Sequence, residues 1–240
     1  MGTREEVLDR VKQSLNRQQT GPVVPELPAL DPSGVMPALT PEEYLSKFEV
    51  EWQKVGGMTY RVASIEELAA VLQKIIGPSE SQTAVLSRNP ILADLGIAGR
   101  LNALNKFTMS WAEGTSTDVA NSLPDFNKAA FAAGIGITGV DFVLAESGTL
   151  LLSSATEGVQ VASLAPPIHV ALYRRGQIVG SLDEILARLP ISKSPDTTTL
   201  GRSVVFITGT SRTADIEQIL IRGVHGPREV HAILVEDRCR

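Results

Sequence analysis

Cysteine is nearly absent from this chain, whose 240 residues contain one, Cys239. One thiol cannot form an internal disulfide, hold an iron–sulfur cluster or complete a four-thiolate zinc site. Histidine is also sparse, at His169, His225 and His231, and no HExxH or CxxC spacing occurs. The sequence therefore predicts a fold that does not depend on disulfides. It gives no support for a metal or another cofactor, and we expect none.

Positive charge and long apolar runs are lacking as well. The chain has 22 Lys and Arg residues against 27 Asp and Glu, a formal net charge of −5, so it would gain little from counterion release at phosphates. The apolar stretch from Val140 to Leu152 is broken by Asp141 and Glu146, and no stretch reaches the length of a transmembrane helix. No apolar signal core opens the sequence. We expect a cytoplasmic protein that binds neither nucleic acid nor membrane.

Residues 1–41 are predicted to form an arm separate from the rest of the chain. Arg4–Arg17 carries a thin apolar stripe at helical spacing. Prolines then follow at positions 22, 25, 28, 32, 37 and 41, and such a segment is extended because proline fixes φ and removes a donor. The segment is either a plain linker or an arm that lies on a neighbouring subunit, so a homo-oligomer is one possibility.

From residue 42 to residue 240, predicted strands alternate with predicted helices. The helices are Pro41–Lys54, Ile65–Ile76 (capped by Ser64), Pro90–Leu104, Pro124–Ala133, Leu182 to just before Pro190, and Thr213–Arg222. The strands are Met58–Val62, Ala84–Ser87, Phe107–Trp111, Asp141–Ala145, Thr149–Ser153, Ile168–Tyr173, Ser203–Thr208 and Glu229–Glu236. This alternation predicts one α/β domain with a largely parallel sheet and helices on both faces.

Gly134–Gly139 reads GIGITG and matches the letters of the GxGxxG dinucleotide fingerprint. The fingerprint requires a strand before it and a helix after it, whereas here a predicted helix precedes and a strand-like segment follows. The sequence favours a glycine-rich connection that needs unusual φ angles. Thr138 and Asp141 are nevertheless candidates to face a ligand.

Glu146 interrupts two apolar runs in the segment VLAESGTLLL. A carboxylate in such a place is costly unless it is paired, exposed or used. It is either a nucleophile, general base or ligand anchor, or a turn carboxylate that accepts from nearby backbone N–H groups.

The segment VVFITGTSRTADI predicts a strand, a glycine-containing turn and a helix start, an arrangement suited to anions. Arg212 would add a planar donor fork for a carboxylate or phosphate, and Asp215 would pair with it or cap the turn. The candidate ligand-binding residues of this turn are Gly209, Thr210, Ser211, Arg212 and Asp215. The alternative is that these residues only cap the turn and the helix start.

His225 lies in the loop GVHGP after the predicted helix Thr213–Arg222. It is a candidate acid or base, or else a structural histidine. The helix would span about 15 Å at ~1.5 Å per residue. Arg212 and His225 could therefore share one anionic site only if the loop folded back, or if His225 came from a neighbouring subunit. His169 and His231 fall inside strand patterns and are interpreted as structural.

Three segments, GITGVDFVLAESGTLLL, PPIHVAL and GTSRTADIEQILIRGVHGPREVHAILVE, resemble the LUD domain of the lactate-utilisation protein C (LutC/YkgG) family over roughly Ala132–Val235. Ser147 stands where that family's acidic turn has threonine. The resemblance implies a fold similar to the CoA-transferase, ribose-5-phosphate isomerase and formyltetrahydrofolate cyclo-ligase group. It also implies a non-redox component of L-lactate oxidation to pyruvate, acting with iron–sulfur partner proteins and a small carboxylate ligand.

Two other functions remain open. Glu146-Ser147-Gly148 resembles the E-x-G turn of CoA transferases, whose glutamate is a nucleophile, so the chain could be an independent enzyme that handles an acyl-CoA or a sugar phosphate. Alternatively, it could be a small-molecule sensor. Whether the chain by itself is an enzyme is uncertain. Glu146 and His225 are the candidate catalytic residues.

Overall fold

A computed structural model describes residues 3–18, 39–111, 125–188, 203–214, 220–223 and 225–239. The chain divides into two compact units, residues 1–32 and residues 33–240. The described part of the first unit is helix α1, Arg4–Gln18, whose apolar residues Val7, Leu8 and Val11 are about half exposed. The predicted extended stretch lies outside the described residues except for residues 39–41.

The second unit is built around a six-stranded sheet, in the order β1-β12-β7-β4-β2-β3, with every neighbouring pair parallel. Its strands are β1 (Met58–Val62), β2 (Thr83–Leu86), β3 (Phe107–Ser110), β4 (Ile135–Thr138), β7 (Ile168–Tyr173) and β12 (Glu229–Val235). The α/β class and the largely parallel sheet expected from the sequence are confirmed.

The remaining helices begin where local sequence favours them. They are α2 (Pro41–Lys54), α3 (Ile65–Ile76), α4 (Pro90–Asp94), α5 (Ile97–Ala103), α6 (residues 125–132), α7 (Ser154–Glu157), α8 (Val161–Leu164) and α9 (Leu182–Arg188). Thr40 and Glu43 cap α2 reciprocally, because each side chain bonds the other's backbone N–H. Ser64 caps α3 through the Glu67 N–H, while the Glu67 carboxylate accepts from Ala63 N.

A second sheet, which the sequence did not lead us to expect, has the order β8-β5-β6-β9. Its strands are β5 (Phe142–Leu144), β6 (Thr149–Ser153), β8 (Ile178–Val179) and β9 (Val204–Ile207). The β5–β6 and β6–β9 pairs are antiparallel, and the β5–β8 pair is parallel.

The two faces of the main sheet have different covers. Val170 and Leu172 of β7 pack in a cluster with residues of α3, α4 and α5. The alternate residues Ala171 and Tyr173 pack with α2 and the second sheet. One face is therefore covered by helices, and the other is shared between a helix and the second sheet.

The segment Gly134–Gly139 corrects one prediction, because it contains the central strand β4 instead of a connection. None of its three glycines has a positive φ. A Cβ on Gly136 would lie 1.8 Å from the carbonyl oxygen of Ala162, so this glycine allows α8 to approach the sheet. The glycines serve close packing here and not unusual backbone angles.

Two predicted helices are also wrong in part. Pro90–Leu104 is two short helices separated at Gly96, whose φ of 59° is left-handed. Within the predicted helix Thr213–Arg222, the described residues form strands instead, β10 (Arg212–Ala214) and β11 (Leu220–Arg222), which pair antiparallel. Residues 215–219 between them lie outside the described part.

Candidate functional site at the carboxyl edge of the sheet

Glu157, the last residue of α7, is a fully buried carboxylate. It accepts hydrogen bonds from Ser87 Oγ at 2.5 Å, from Gly139 N at 3.1 Å, and from Asn89 Nδ2. Burial raises the pKa of this carboxyl group, although the three donors act in the opposite direction. Ser87 follows β2 and Gly139 follows β4, so the carboxylate lies at the carboxyl ends of parallel strands, where open α/β sheets usually bind ligands.

Asp141 is a second carboxylate near this edge. It accepts from Ser153 N at 2.6 Å and from Thr156 Oγ1 at 3.0 Å. Burial raises its pKa, and its charge contributes to the raised pKa of Glu157. Ser153 ends β6 and Thr156 lies in α7, so Asp141 connects these two elements. A role in ligand binding remains a prediction.

A cleft of about 270 Å³ opens beside this carboxylate cluster. It is lined by Leu86, Ser87, Arg88, Asn89, Leu92, Ala93, Ala98, Ser110 and Trp111. Nη2 of Arg88 donates to the carbonyl oxygens of Ala155 at 2.6 Å and Ser154 at 3.3 Å. Its Nε and Nη1 make no hydrogen bond with any residue that the structure describes. Arg88 is thus held at Nη2, while its Nε and Nη1 keep donors that no described residue accepts.

The sequence-based prediction missed these residues. The SRNP turn at Ser87–Pro90 was a usable signal, because three polar residues follow a buried strand and precede a helix-opening proline. Glu157 gave no comparable signal, since it lies in the polar stretch SSATEG. Only the fold brings it to Ser87, 70 residues earlier in the chain.

Thr138 ends β4 and is buried, and its Oγ1 lies 2.9 Å from Nε2 of His169. Nδ1 of His169 has no hydrogen-bond partner among the described residues. Complete burial lowers the pKa of His169 to about 3, which keeps the ring neutral. Thr138 therefore contacts a buried histidine of the sheet, and its predicted contact with a ligand remains a prediction.

Glu146 lies in the turn between β5 and β6. Its Oε1 accepts from the backbone N of Leu182, the first residue of α9, at 2.9 Å, and its own N donates to Gly180 O. This contact joins the β5–β6 turn to the start of α9. The proposed catalytic role of Glu146 remains a prediction.

A chain of three hydroxyl groups links the Glu146 turn to the next candidate segment. Ser147 Oγ lies 2.8 Å from Thr149 Oγ1, which lies 2.8 Å from Thr208 Oγ1. Gly209 follows with a φ of 80°, and a Cβ there would lie 2.4 Å from Val55 O. The turn after β5 and the loop after β9 are therefore neighbours at the end of α2.

The remaining candidates lie beside the hairpin of β10 and β11. Thr210 is buried, and its backbone N donates to Val55 O. Ser211 O accepts from Gly223 N at 3.1 Å, and Ser211 N donates to Pro227 O at 3.0 Å. The loop that carries the exposed residue His225 thus returns to Ser211.

The separation of Arg212 from His225 by a helix is therefore wrong, because an antiparallel hairpin brings together the two segments that it joins. The side chain of Arg212 and all of Asp215 lie outside the described part of the chain, so a shared anionic site of Arg212 and His225 remains a prediction. The helix N-terminus that was to support it is replaced by β10.

Within the described ranges, no group of three or more His, Cys, Asp or Glu residues is arranged to hold a metal ion. No helix in the described part of the chain is both long enough and apolar enough to cross a membrane.

Comparison with known proteins gives consistent matches. The LUD domain family matches residues 45–235. Three relatives named lactate utilization protein C come from Halalkalibacterium halodurans, Geobacillus thermodenitrificans and Bacillus subtilis. The first is 39% identical over 106 residues, which is 44% of this chain and 46% of the relative. The second is 30% identical over 184 residues, which is 75% of this chain and 73% of the relative. The third is 27% identical over 242 residues, which is 98% of this chain and 96% of the relative. The match thus spans less than half of the first relative but nearly all of the third.

A solved structure has the same fold. The crystal structure of a DUF162 family protein from Deinococcus radiodurans aligns with a TM-score of 0.57 and 21% identity, covering 82% of this chain and 99% of the other.

Proposed function

Because the chain belongs to the LUD domain family, we propose that it is a component of an L-lactate utilisation system, in which L-lactate is oxidised to pyruvate. Its relatives' shared name, lactate utilization protein C, supports this role. In this proposal the chain is a non-redox subunit that acts with iron–sulfur partner proteins. Its one cysteine cannot by itself ligate a cluster, so the electron carriers would belong to those partners.

The observation that carries the site assignment is the position of Arg88. Two backbone carbonyl oxygens hold its Nη2, and its remaining donors belong to a guanidinium that lines the cleft. A guanidinium N–H donates a charge-assisted hydrogen bond to a carboxylate, and the Nε and Nη1 of Arg88 keep donors that the α7 carbonyl oxygens do not use. A cleft of about 270 Å³ is large enough for a three-carbon acid such as lactate or pyruvate. Asn89 and Ser110 supply polar groups for the ligand's hydroxyl or keto oxygen.

The fold also gives Arg88 a fixed geometry. Its backbone N donates to the carbonyl oxygen of Glu157 at 3.2 Å, and the neighbouring Asn89 bonds the Glu157 carboxylate. Because these contacts fix the turn after β2, little conformational entropy is lost when a ligand binds. The site assignment thus rests on a preorganised cation at the carboxyl edge of the sheet.

We predict that Arg88→Lys weakens L-lactate or pyruvate binding about tenfold, which equals about 1.4 kcal/mol. The single nitrogen of a lysine cannot donate to the α7 carbonyl oxygens on one side and to the ligand on the other, as the planar guanidinium can. Calorimetric titration of the full chain with each acid measures this. Arg188→Lys is the control, because Arg188 is an exposed residue paired within α9. Equal affinities in both variants and the parent chain would remove Arg88 from the site.

The role in L-lactate utilisation is tested in the native host. Each variant, fused to an affinity tag, replaces the chromosomal copy of the coding sequence. Arg88→Lys should slow growth on L-lactate but not on pyruvate, and the tagged parent chain should capture cysteine-rich proteins that contain iron. Unimpaired growth on L-lactate after deletion of the whole coding sequence would contradict the proposed function.

A further inference from the structure

A cleft of about 630 Å³ lies at the opposite, amino edge of the main sheet. Its walls include residues from the first three positions of three parallel strands: Met58 and Tyr60 of β1, Ile168 of β7, and Glu229 and His231 of β12. Ser81 lines this cleft and Leu86 lines the Arg88 cleft, so strand β2 runs from one cleft to the other. At ~3.3 Å per residue, its four residues separate the clefts by about 10 Å or more. The two clefts are therefore distinct sites.

His231 is the most informative residue of this amino-edge cleft. It is only 3% exposed, and its Nδ1 lies 3.4 Å from the hydroxyl oxygen of Tyr60. Its Nε2 has no hydrogen-bond partner among the described residues. Oε2 of Glu229 lies 3.5 Å away, within ion-pair distance but without hydrogen-bond geometry. A buried polar atom that lacks a partner calls for an acceptor or donor from elsewhere.

The protonation of His231 decides whether its Nε2 needs an acceptor or a donor. Burial lowers the pKa of His231 despite the neighbouring Glu229, so the ring is neutral. The Tyr60–Nδ1 contact allows either tautomer of the ring. We assign the phenol as the donor to Nδ1, and in that tautomer the proton of the neutral ring lies on Nε2. Nε2–H is then a buried donor, which an oxygen acceptor would satisfy.

Two cations line the same cleft. Nζ of Lys74 lies 5.6 Å from the centre of the Tyr60 ring, and Arg228 stands beside Glu229. Neither side chain forms an ion pair or hydrogen bond with the residues that the structure describes. Glu80 and Glu229 also line the cleft, so the four formal charges cancel. Glu229 is a 54% exposed side chain that can turn into solvent.

One wall of the cleft is held in place by a buried cation. Lys106 is only 6% exposed, and its Nζ donates to the carbonyl oxygens of Ser79 at 2.9 Å and Ser81 at 2.7 Å. Ser81 Oγ in turn accepts from Gly134 N at 2.9 Å. This loop is therefore fixed before any ligand arrives.

We propose that the amino-edge cleft is a second binding site, for a small anion whose carboxylate or phosphate oxygen accepts from His231 Nε2, while Lys74 and Arg228 supply the positive charge. The Tyr60 ring, which stacks on His231 at a centroid distance of 5.9 Å, forms an adjoining wall. The carboxylate of Glu229 moves aside to admit the anion. This inference is independent of the proposed lactate site.

The test is NMR spectroscopy of the full chain labelled with ¹⁵N-histidine. The chain has three histidines, so the spectrum contains few ring-nitrogen signals. Inorganic phosphate and acetate are titrated separately, and the His231 signals are identified by their loss in His231→Gln. We expect a saturable change in the ¹⁵N chemical shift of Nε2 with one anion or with both. A change with phosphate alone indicates a phosphate ligand, and a change with acetate alone indicates a carboxylate ligand. Lys74→Gln and Arg228→Gln should each weaken binding about fivefold or more, since each removes one charge near the anion.

Two control variants show whether the anion binds in this cleft and nowhere else. Lys47→Gln removes a partly buried charge on α2, which pairs with Glu51, and should leave the affinity unchanged. Arg88→Lys should do the same. Lys74 and Arg228 are exposed residues, so their variants remain informative even if His231→Gln fails to fold. The absence of a saturable His231 shift with both anions, or equal affinities in Lys74→Gln, Arg228→Gln and Lys47→Gln, would overturn the proposal.

Discussion

At the scale of single residues, Glu157 stands out because a fully buried carboxylate is unusual unless its oxygens are satisfied. Three donors from two different strand ends meet it, so it fixes the turn after β2 relative to the turn after β4. Asp141 contributes the same kind of contact to Ser153 and Thr156. These two residues hold the carboxyl edge in shape.

The raised pKa of Glu157 has a consequence for stability. The folded chain binds this proton more tightly than the unfolded chain does. Between the ordinary glutamate pKa of 4.5 and the raised value, the free energy of unfolding therefore falls as the pH rises. Asp141, whose pKa burial also raises, adds a slope of the same sign from its own ordinary pKa of 3.8 upward.

We predict that Glu157→Gln reduces this pH dependence. It should also lower the free energy of unfolding by about 1–3 kcal/mol, because the NH₂ group of glutamine would replace one carboxylate oxygen and face a group that now donates to that oxygen. Urea unfolding at a series of pH values, followed by tryptophan fluorescence, measures both effects. Glu80→Gln, at an exposed position, is the control. A pH profile parallel to that of the parent chain would show that Glu157 does not carry the linkage.

At the scale of secondary-structure elements, β4 shows how backbone packing overrides composition. Two glycines flank this strand and a third lies inside it. Glycine normally weakens a strand, but α8 comes so close that a side chain at Gly136 would overlap Ala162 O. The strand is stabilised by its position between β2 and β7, and all four of its residues are buried.

We predict that Gly136→Ala lowers the free energy of unfolding by about 1–3 kcal/mol or more, since a backbone carbonyl must move to admit the methyl group. Gly99→Ala is the matched control, because nothing lies within 4 Å of a Cβ at that position of α5. Gly99→Ala should instead raise the free energy of unfolding by about 0.5–1 kcal/mol, the usual gain for alanine over glycine within a helix. Chemical denaturation of both variants gives the comparison. A neutral Gly136→Ala would mean that α8 moves at no cost.

At the scale of the whole molecule, the body is organised by one parallel sheet with a cleft at each edge. The Arg88 cleft lies at the carboxyl ends of strands, and the amino-edge cleft lies at their beginnings. The arm was expected to end at residue 41, and we propose that the rest of the chain, residues 42–240 and here called the body, folds without it. Thr40 belongs functionally to the body, because it caps α2.

Deletion of residues 1–39, which retains the Thr40 cap, should leave cooperative thermal unfolding of the body intact. Deletion of residues 1–40 should lower the free energy of unfolding by about 1 kcal/mol relative to that truncation, the usual effect of losing an N-cap. Calorimetry of the two truncations and the full chain measures both differences, and light scattering shows any change in assembly. Non-cooperative unfolding after the shorter deletion would place the arm in the core.

The sequence by itself determined the features that depend on near neighbours. Thr40 with Glu43 and Ser64 with Glu67 mark helix starts because capping involves residues three apart. Apolar runs such as Ile168–Tyr173 predict buried strands because parallel strands are covered on both faces. The α/β class and most element boundaries followed from these local rules.

Tertiary structure alone decided the rest, because the groups concerned are distant in the chain. Asn89 and Glu157 meet across 68 residues, and no local pattern encodes such a contact. Gly136 belongs to a strand only because its neighbouring strands and α8 are already in place. The segment after Ser211 carries a helix-like pattern, yet β10 and β11 pair there, because tertiary contacts outweigh the small propensity differences between residues.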